Sequence, residues 1–469
     1  MAAPLDLAAP LDLSVPRRIH VVGAGGAGMS AIAEVLAAMG HHVTGSDQAD
    51  SQVVAHLRAL GVDVAVGHDA ANVAEAEVVA VSTAIPAANP EVVAALATGL
   101  PVLRRAQALA AVCGVRRTVA VSGTHGKTTT TAMLALALRA AGLEPSFIVG
   151  GEVRGLGSGA AWGSGGWFVV EADESDGTFL ELGAEAVLVT NVEADHLDHW
   201  GSFDALQAGF RRFLEEASGP RVVCADDEGA MRCASGIDCL TYGTSAWATH
   251  RMVDVVPGPD GVTFTLEHGG RELGRVAVSL PGLHNARNAA GVVVAALALG
   301  AELGPVGAAL AAFPGVRRRW ERRGEAGGVT FIDSYDHLPT EVAAALAAAG
   351  AGGWGRVVCV FQPHRYTRTR DLWRSFADAF DGADLLAVTD VYAAGQEPIP
   401  GVTGKLVLDA VLEAHPWRRA AWLPTRADLL AYLSTELRPG DLCLTLGAGD
   451  LTTLPDELAP LVEGRAGGR

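Results

Sequence analysis

Lysine is almost missing from this 469-residue chain: Lys127 and Lys405 are the only two, and every other Lys/Arg position is arginine. A bias toward Arg, Ala and Gly accounts for the scarcity, and it makes each retained lysine a candidate for chemistry that needs an amine. Positive charge is short as well, with 35 Lys and Arg against 53 Asp and Glu and a formal net charge of -18. That balance repels polyanions. It excludes a general nucleic-acid or anionic-membrane binder and leaves anionic substrates only where cations are gathered locally. Cysteine is sparse: Cys113, Cys224, Cys233, Cys239, Cys359 and Cys443 form no Cys-x-x-Cys pair. With no secretory signal, they read as reduced core residues of a cytoplasmic protein. The repeat Ala-Ala-Pro-Leu-Asp-Leu across 2–13 carries acids and no basic segment, so residues 1–16 read as a flexible tail rather than a targeting peptide. Long apolar runs are lacking too. Residues 289–301 are uncharged and rich in Ala, Val and Leu. They fall short of the ~20 residues that a bilayer core requires, so they read as a buried helix.

Apolar residues in short runs are what the chain does have. They make up 49% of it against 19% charged, enough for about two to four compact domains. Strand-like runs alternate with helix-like runs, which signals parallel α/β layering. Ile19–Val22 leads through a glycine loop to Ile32, Val35, Leu36 and Met39 at helical spacing, and Val78–Val81 ends in Ser82. A second α/β unit opens at Val119–Val121 and continues through Trp167–Val170 and Val187–Val189. Val262–Leu266 and Val276–Leu280 flank Gly269-Gly270 like a hairpin, so this part is antiparallel. A third unit holds strands near Val329–Ile332, Val357–Phe361, Leu385–Val388 and Leu442–Leu446. The expected domains are 17–112, 113–314 and 315–469. In each, polar residues cluster beyond the strand ends, where open α/β sheets bind ligands.

Two glycine loops carry phosphate chemistry. Gly23-Ala24-Gly25-Gly26-Ala27-Gly28 joins strand to helix, and Asp47 ends the next strand near the usual ribose distance. NAD, another nucleotide diphosphate or tight packing each fits that loop alone. Ser122-Gly123-Thr124-His125-Gly126-Lys127-Thr128 is more decisive. Its glycines free backbone amides to face phosphates, Lys127 reaches the β- and γ-phosphates, and Thr128 offers a hydroxyl to Mg²⁺. Trp167–Val170 ends in Glu171, an acid placed for Mg²⁺, whereas Asp173, Glu174 and Asp176 read as caps and solvated loop residues. Asn191–Trp200 puts His196 and His199 in an acidic loop that leaves the sheet beside the phosphate site, where a metal role and an ordinary surface role are both open.

The combination Gly-Thr-His-Gly-Lys-Thr-Thr-Thr (123–130), Glu-Ala-Asp-Glu-Ser-Asp-Gly (171–177) and Asn-Val-Glu-Ala-Asp-His-Leu-Asp (191–198) resembles the Mur ligases. His125 and the Gly-Gly-Ala-Gly-Met loop (25–29) resemble the member that adds the first amino acid. Further similar stretches are Pro281–Asn288, Gly315–Arg319, Pro339-Thr-Glu341, Phe361–Arg368 and Gly447–Asp450, so the likeness covers roughly 17–460. It implies an α/β fold of three domains: Rossmann-like at the N-terminus, a central P-loop ATPase-type mixed sheet, and Rossmann-like at the C-terminus. It also implies ATP-dependent ligation of L-alanine to the carboxylate of UDP-N-acetylmuramate through an acyl phosphate, by a cytoplasmic monomer or homodimer. Gly23, Gly25, Gly26, Ala27, Gly28, Met29, Asp47 and Ser82 would bind the UDP-sugar. ATP would fall to Gly123, Thr124, His125, Gly126, Lys127, Thr128, Thr129, Asn288 and Arg319. Thr128, Glu171 and His196, a better match than His199, would ligate Mg²⁺. His364, Arg365 and Arg368 would face the muramyl carboxylate and the amino acid, and His337 would join the catalytic set. Arg317, Arg322 and Arg323 read instead as a solvated face.

Two departures stand out. Asp333-Ser334-Tyr335-Asp336-His337-Leu338-Pro339 is similar to a stretch that usually reads Asp-Asp-Tyr-Ala/Gly-His-His-Pro, so Leu338 replaces a histidine and Asp336 a small residue. No lysine lies between Lys127 and Lys405, so the carbamylated lysine with which several relatives hold a second Mg²⁺ is unavailable. A recycling ligase that attaches a tripeptide to the same UDP-sugar is the nearer alternative. A nicotinamide oxidoreductase is the more distant one, and it leaves the Lys127 loop without purpose.

Overall fold

The computed structural model describes residues 11–154 and 158–466. The chain separates into two compact units, Met1–Val253 with Thr265–Val276 and Arg287–Ala311, and Asp254–Phe264 with Ala277–Ala286 and Ala312–Arg469.

Short Val, Ile and Ala runs covered on both faces make parallel strands, because helices returning over either face leave few strand side chains in water. The first sheet is parallel, in the order Asp63–Val66, His42–Asp47, Arg18–Val22, Val78–Val81, Val102–Arg104. Strand order reverses between Arg18–Val22 and Val78–Val81, and a doubly wound sheet opens a ligand crevice at such a point. The helix Ala27–Ala38 buries Met29, Ile32, Val35 and Leu36, so the Met29 side chain belongs to the core. Leu13 joins the same core at 4% exposure, ahead of the domain start expected at 17. The rest of the expected tail, residues 1–10, lies outside the described residues.

The second sheet has ten strands. From one edge they are Arg271–Val278, Gly261–His268, His250–Gly258, Leu240–Gly243, Arg221–Cys224, Ala186–Val189, Arg117–Ser122, Trp167–Glu171, Ser146–Ile148 and Ala160–Ala161. Its centre is parallel and its last pair antiparallel, so the sheet is mixed. Gly269 and Gly270, at φ 58° and 78°, form the two-residue turn of the hairpin read from the sequence. The apolar stretch after residue 288 lies in the helix Leu283–Ala298, with Ala289, Val292, Val293 and Ala296 wholly buried.

The second unit carries a six-stranded sheet in the order Glu321–Ala326, Val329–Ser334, Asp441–Leu446, Arg356–Phe361, Leu385–Val388, Ala420–Trp422. All pairs are parallel except the first. That charged edge strand corrects the reading of its arginines as one solvated face. Arg322 is exposed, but Arg323 donates to the Thr452 carbonyl at 3.0 Å and pairs with Asp456 at 2.6 Å. Burial pushes the Cys113 and Cys443 thiols up to about 12, which leaves them protonated and inert. Among the described residues no helix is long and apolar enough to cross a membrane.

Candidate active site

The loop after Arg117–Ser122 is shaped by glycines in backbone conformations that other residues rarely adopt. Gly123 has φ 140°, and a Cβ there would collide with Thr190 and Asn191. Gly126 is left-handed at φ 77°, and a Cβ there would meet the Asn288 amide at 2.9 Å. The strand-end segment 190–193 braces this loop: the Asn191 side-chain oxygen accepts from the His125 amide at 2.7 Å, and the Thr190 hydroxyl donates to the His125 carbonyl at 2.6 Å. His125 Nε2 lies 3.2 Å from Glu193. The helix Lys127–Ala140 starts directly after Gly126, so the first-turn amides of Lys127, Thr128 and Thr129 point out of its N-terminus, where anions bind. Asn288 thus sits on the loop it was expected to serve.

Lys127 Nζ donates to the Gly123 carbonyl at 2.8 Å and to both Glu174 oxygens at 2.9 and 2.7 Å. Glu174 corrects the sequence reading, because it is 1% exposed and serves as the lysine's counter-ion. Asp173 and Asp176 do cap, accepting from the amides of Ser175 and Thr178. Burial pushes the Glu174 carboxyl up to about 7, held back by Lys127. Burial also works against the Lys127 charge, but the Glu174 and Asp173 carboxylates outweigh it and raise the ammonium's pKa.

Thr128 donates its hydroxyl to Glu171 Oε1 at 2.9 Å, and Glu171 Oε2 accepts from the Gly150 amide at 2.7 Å. Adjacent oxygens of a Mg²⁺ octahedron with bonds of ~2.1 Å stand about 3 Å apart, so this pair fits one edge of such an ion. His196 is held at φ 52° with Nε2 3.2 Å from Asp195. Among the described residues, the one trio of His or carboxylate ligand atoms within 4.8 Å of one another is Asp378, Asp381 and His415, in loops of the second unit. Thr128 and Glu171 are thus two oxygen donors side by side, the few-ligand arrangement that would suit a Mg²⁺ ion sharing its shell with phosphate and water.

In the first sheet, the amides of Gly23 and Ala24 donate to the Ser46 carbonyl, and Gly25 donates to Asp47 Oδ2 at 2.8 Å. Ser82 packs on Gly23, whose Cβ position lies 3.1 Å from its own Cβ. The amides of Ala27 and Gly28 open the following helix.

The second unit gathers a cationic and aromatic cluster. The Arg319 guanidinium lies over Tyr335 at 4.9 Å. Its neighbours Arg318 and Trp320 both have φ above 50°, a left-handed backbone that persists only where the surroundings over-determine it. His337 meets Tyr335 and His364 edge-on at 5.7 and 5.4 Å, His364 stacks on Tyr392 at 5.8 Å, and Arg368 Nη1 is 3.0 Å from His364 Nδ1. Arg365 caps the helix Tyr366–Leu372 at φ 65°. Leu338 is 4% exposed and stands at the N-cap of the helix Pro339–Gly350.

Residues 18–117 match the catalytic domain of the Mur ligase family, 121–296 the Mur ligase middle domain, and 318–449 the Mur ligase glutamate ligase domain. The chain is 46% identical to a UDP-N-acetylmuramate–L-alanine ligase of Bradyrhizobium over 94% of its own length and 98% of that protein's. The chain belongs to the Mur ligase family. A second ligase of that name, from Myxococcus xanthus, is 45% identical over 95% of each chain. Among solved structures, a UDP-N-acetylmuramate-alanine ligase from Thermotoga maritima superimposes with a TM-score of 0.78 at 28% identity, covering 97% of this chain and 100% of that one. Three-domain Mur ligase architecture accounts for the three sheets, and the nicotinamide reading lapses.

One residue of this Mur ligase escaped motif reading. Arg105, at the start of the helix Arg105–Cys113, lies against the first glycine loop, 3.3 Å from a Cβ built at Gly28. It pairs with Asp176 at 3.2 Å. Its only sequence signal was a basic residue directly after a strand end, too common to single out.

Proposed function

We propose that this Mur ligase joins L-alanine to UDP-N-acetylmuramate at the expense of ATP, forming ADP, phosphate and an amide. The observation that carries the reading is the near full-length 46% identity to a ligase of that name, together with the Lys127 phosphate loop. The likeness to a murein peptide ligase from Psychrobacter arcticus, at 24% identity, extends to the fold alone.

A carboxylate is a poor acyl donor. Its oxygen attacks the γ-phosphorus of ATP, the bond to the β-phosphate oxygen breaks, and ADP leaves an acyl phosphate. The amine of alanine then attacks the acyl carbon and loses a proton, and phosphate departs. Such transfers need positioning and charge neutralisation more than covalent help. Lys127 and the amides of 123–129 would hold the ATP phosphates, with Asn288 bracing Gly126. Thr128 and Glu171 would hold Mg²⁺, with His196 the third candidate, and the ion would neutralise phosphate charge. Arg319 would close on the γ-phosphate, and His337, His364, Arg365 and Arg368 would face the carboxylates of the acceptor and the amino acid. Both ATP and the nucleotide-activated sugar are cytoplasmic compounds, which places the work there.

Phosphate release from ATP·Mg tests this, with UDP-N-acetylmuramate present and alanine, glycine, serine or a tripeptide supplied in turn. Release requiring both the UDP-sugar and L-alanine is expected; release only with a tripeptide would move the reading to a recycling ligase. Arg105 serves the diphosphate in this scheme. Arg105→Ala is expected to raise the KM for the UDP-sugar about tenfold or more, the scale of one charge-assisted contact, with the KM for ATP unchanged. An equal rise for both would assign Arg105 to domain packing through Asp176.

A further inference from the structure

Arg318 and Arg319 share one aromatic ring, each with its guanidinium carbon 4.9 Å from the centre of Tyr335. Arg318 is tied down at its amide, its carbonyl and its guanidinium. The amide donates to Glu321 Oε2 at 2.8 Å, and the carbonyl accepts from the Tyr335 amide at 2.7 Å. Nη2 donates to the carbonyls of Gly447 and Gly449 at 2.9 and 2.8 Å, and Nε stands 3.7 Å from the buried Asp333 carboxylate. Its charge is directed inward, against two carbonyl dipoles and one anion.

These bonds knot three strand ends together. Tyr335 follows Val329–Ser334, and Gly447–Gly449 follows the parallel neighbour Asp441–Leu446. A Cβ at Gly449 would collide with the Gln362 side chain and the Tyr392 ring. Gln362 follows Arg356–Phe361, the next parallel strand, and its amide reaches Asp450 at 2.8 Å. All three ends lie on the side of the sheet where open α/β sheets bind ligands. The left-handed φ of 58° at Arg318 persists only where the surroundings fix it, and this knot does so. Arg319 is the next residue, so the knot also fixes where the Arg319 side chain starts.

We propose that Arg318 is the positioning residue for Arg319, holding it in the pose from which it closes on the γ-phosphate. The inference rests on the ligase reading above. Nη2 presents two hydrogens in a fixed plane, one for each glycine carbonyl; a lysine ammonium on its flexible stem holds no such plane.

The test is phosphate release from ATP·Mg, with UDP-N-acetylmuramate and L-alanine, in Arg318→Ala, Arg319→Ala and the double variant. Arg319→Ala is expected to lower kcat about 100-fold, the scale of one lost donor to developing charge. Arg318→Ala should lower kcat about 30-fold, because a shift of about 1 Å at a reacting group can cost 100-fold. The KM for the UDP-sugar should stay within about twofold of the parent in both. The double variant should be at most about twofold slower than Arg319→Ala alone, since a residue that acts through another adds nothing once that one is gone. Arg318→Lys keeps a cation in place and should fall only about tenfold, again with no further loss on top of Arg319→Ala; it carries the cycle if the Ala variant folds poorly. Losses that multiply in the double variant, to about 3,000-fold, overturn the assignment and leave Arg318 a structural residue. A kcat within about twofold of the parent in either Ala variant also overturns it. A parent enzyme that releases no phosphate under these conditions overturns the ligase reading itself.

Discussion

Lys127→Met is expected to lower phosphate release from ATP by about a thousandfold, the scale on which one cation at a transferring phosphoryl group acts. Lys127 is one of two lysines in the chain, and it bonds the carbonyl of Gly123 and the buried Glu174 carboxylate. Incoming phosphates would draw the ammonium from Glu174, so the lysine is held charged before nucleotide arrives. Methionine keeps the apolar stem and removes only the charge. Removing a buried partner usually strands the other charge at a cost of about 3–5 kcal/mol. Here the cost is smaller, because Glu174 already sits at about 7 and loses the neighbour that holds it down. Its carboxyl then rises further and takes up a proton at neutral pH instead of remaining an unpaired anion. A turnover within tenfold of the parent, in a variant with unchanged thermal midpoint, would remove Lys127 from phosphoryl transfer.

Glu91→Gln is expected to cost about 3 kcal/mol of stability, measured by urea unfolding at pH 7. Glu91 is wholly buried and takes Ser46 Oγ at 2.6 Å, Asn72 Nδ2 at 2.5 Å and His68 Nδ1 at 3.0 Å, with His20 Nε2 at 3.7 Å. Burial alone would raise its pKa, but the bonds from His20, Ser46 and Asn72 outweigh that and hold it down to about 2. The folded value lies below the unfolded value of 4.5, so the native state favours the ionised form. The stability it contributes is complete above pH 4.5 and is lost as pH falls toward 2. The glutamine variant should lack this loss, and its stability should fall less steeply over the same window. A cost under about 1 kcal/mol would mean that the cluster around Glu91 contributes little.

The parallel strands read from the sequence were legible because each is a short apolar run, whereas short or mixed ones such as Asp63–Val66, Val102–Arg104 and Ala420–Trp422 carry no such run and were not read. Val78–Val81 and Leu385–Val388 agree with the structure to the residue. The edge strand Glu321–Ala326 was not, because an edge needs no apolar run and Glu-Arg-Arg-Gly-Glu-Ala shows only charge. Local motifs likewise singled out Lys127, Thr128 and Glu171, which a loop and a neighbouring strand end bring together. Glu174, Glu91 and Arg105 were hidden for one reason. Each owes its environment to residues 19–77 positions away in sequence, and neither periodicity nor spacing records a contact of that span. Leu338, read as the replacement of a histidine, is buried at the N-cap of the helix Pro339–Gly350.

The lysine content has a chemical consequence for anyone who modifies this protein. Lys405 is half exposed beside Asp409, whereas Lys127 is 15% exposed and locked as an ammonium against Glu174. An acylating reagent meets only these two side-chain amines, and it needs the unprotonated form of either. Lys405 would be consumed early, with no other lysine on the surface to obscure it. Adducts at Lys127 would accumulate only as fast as its ion pair opens, so peptide mapping after timed acylation would read the resting state of the phosphate loop from one residue.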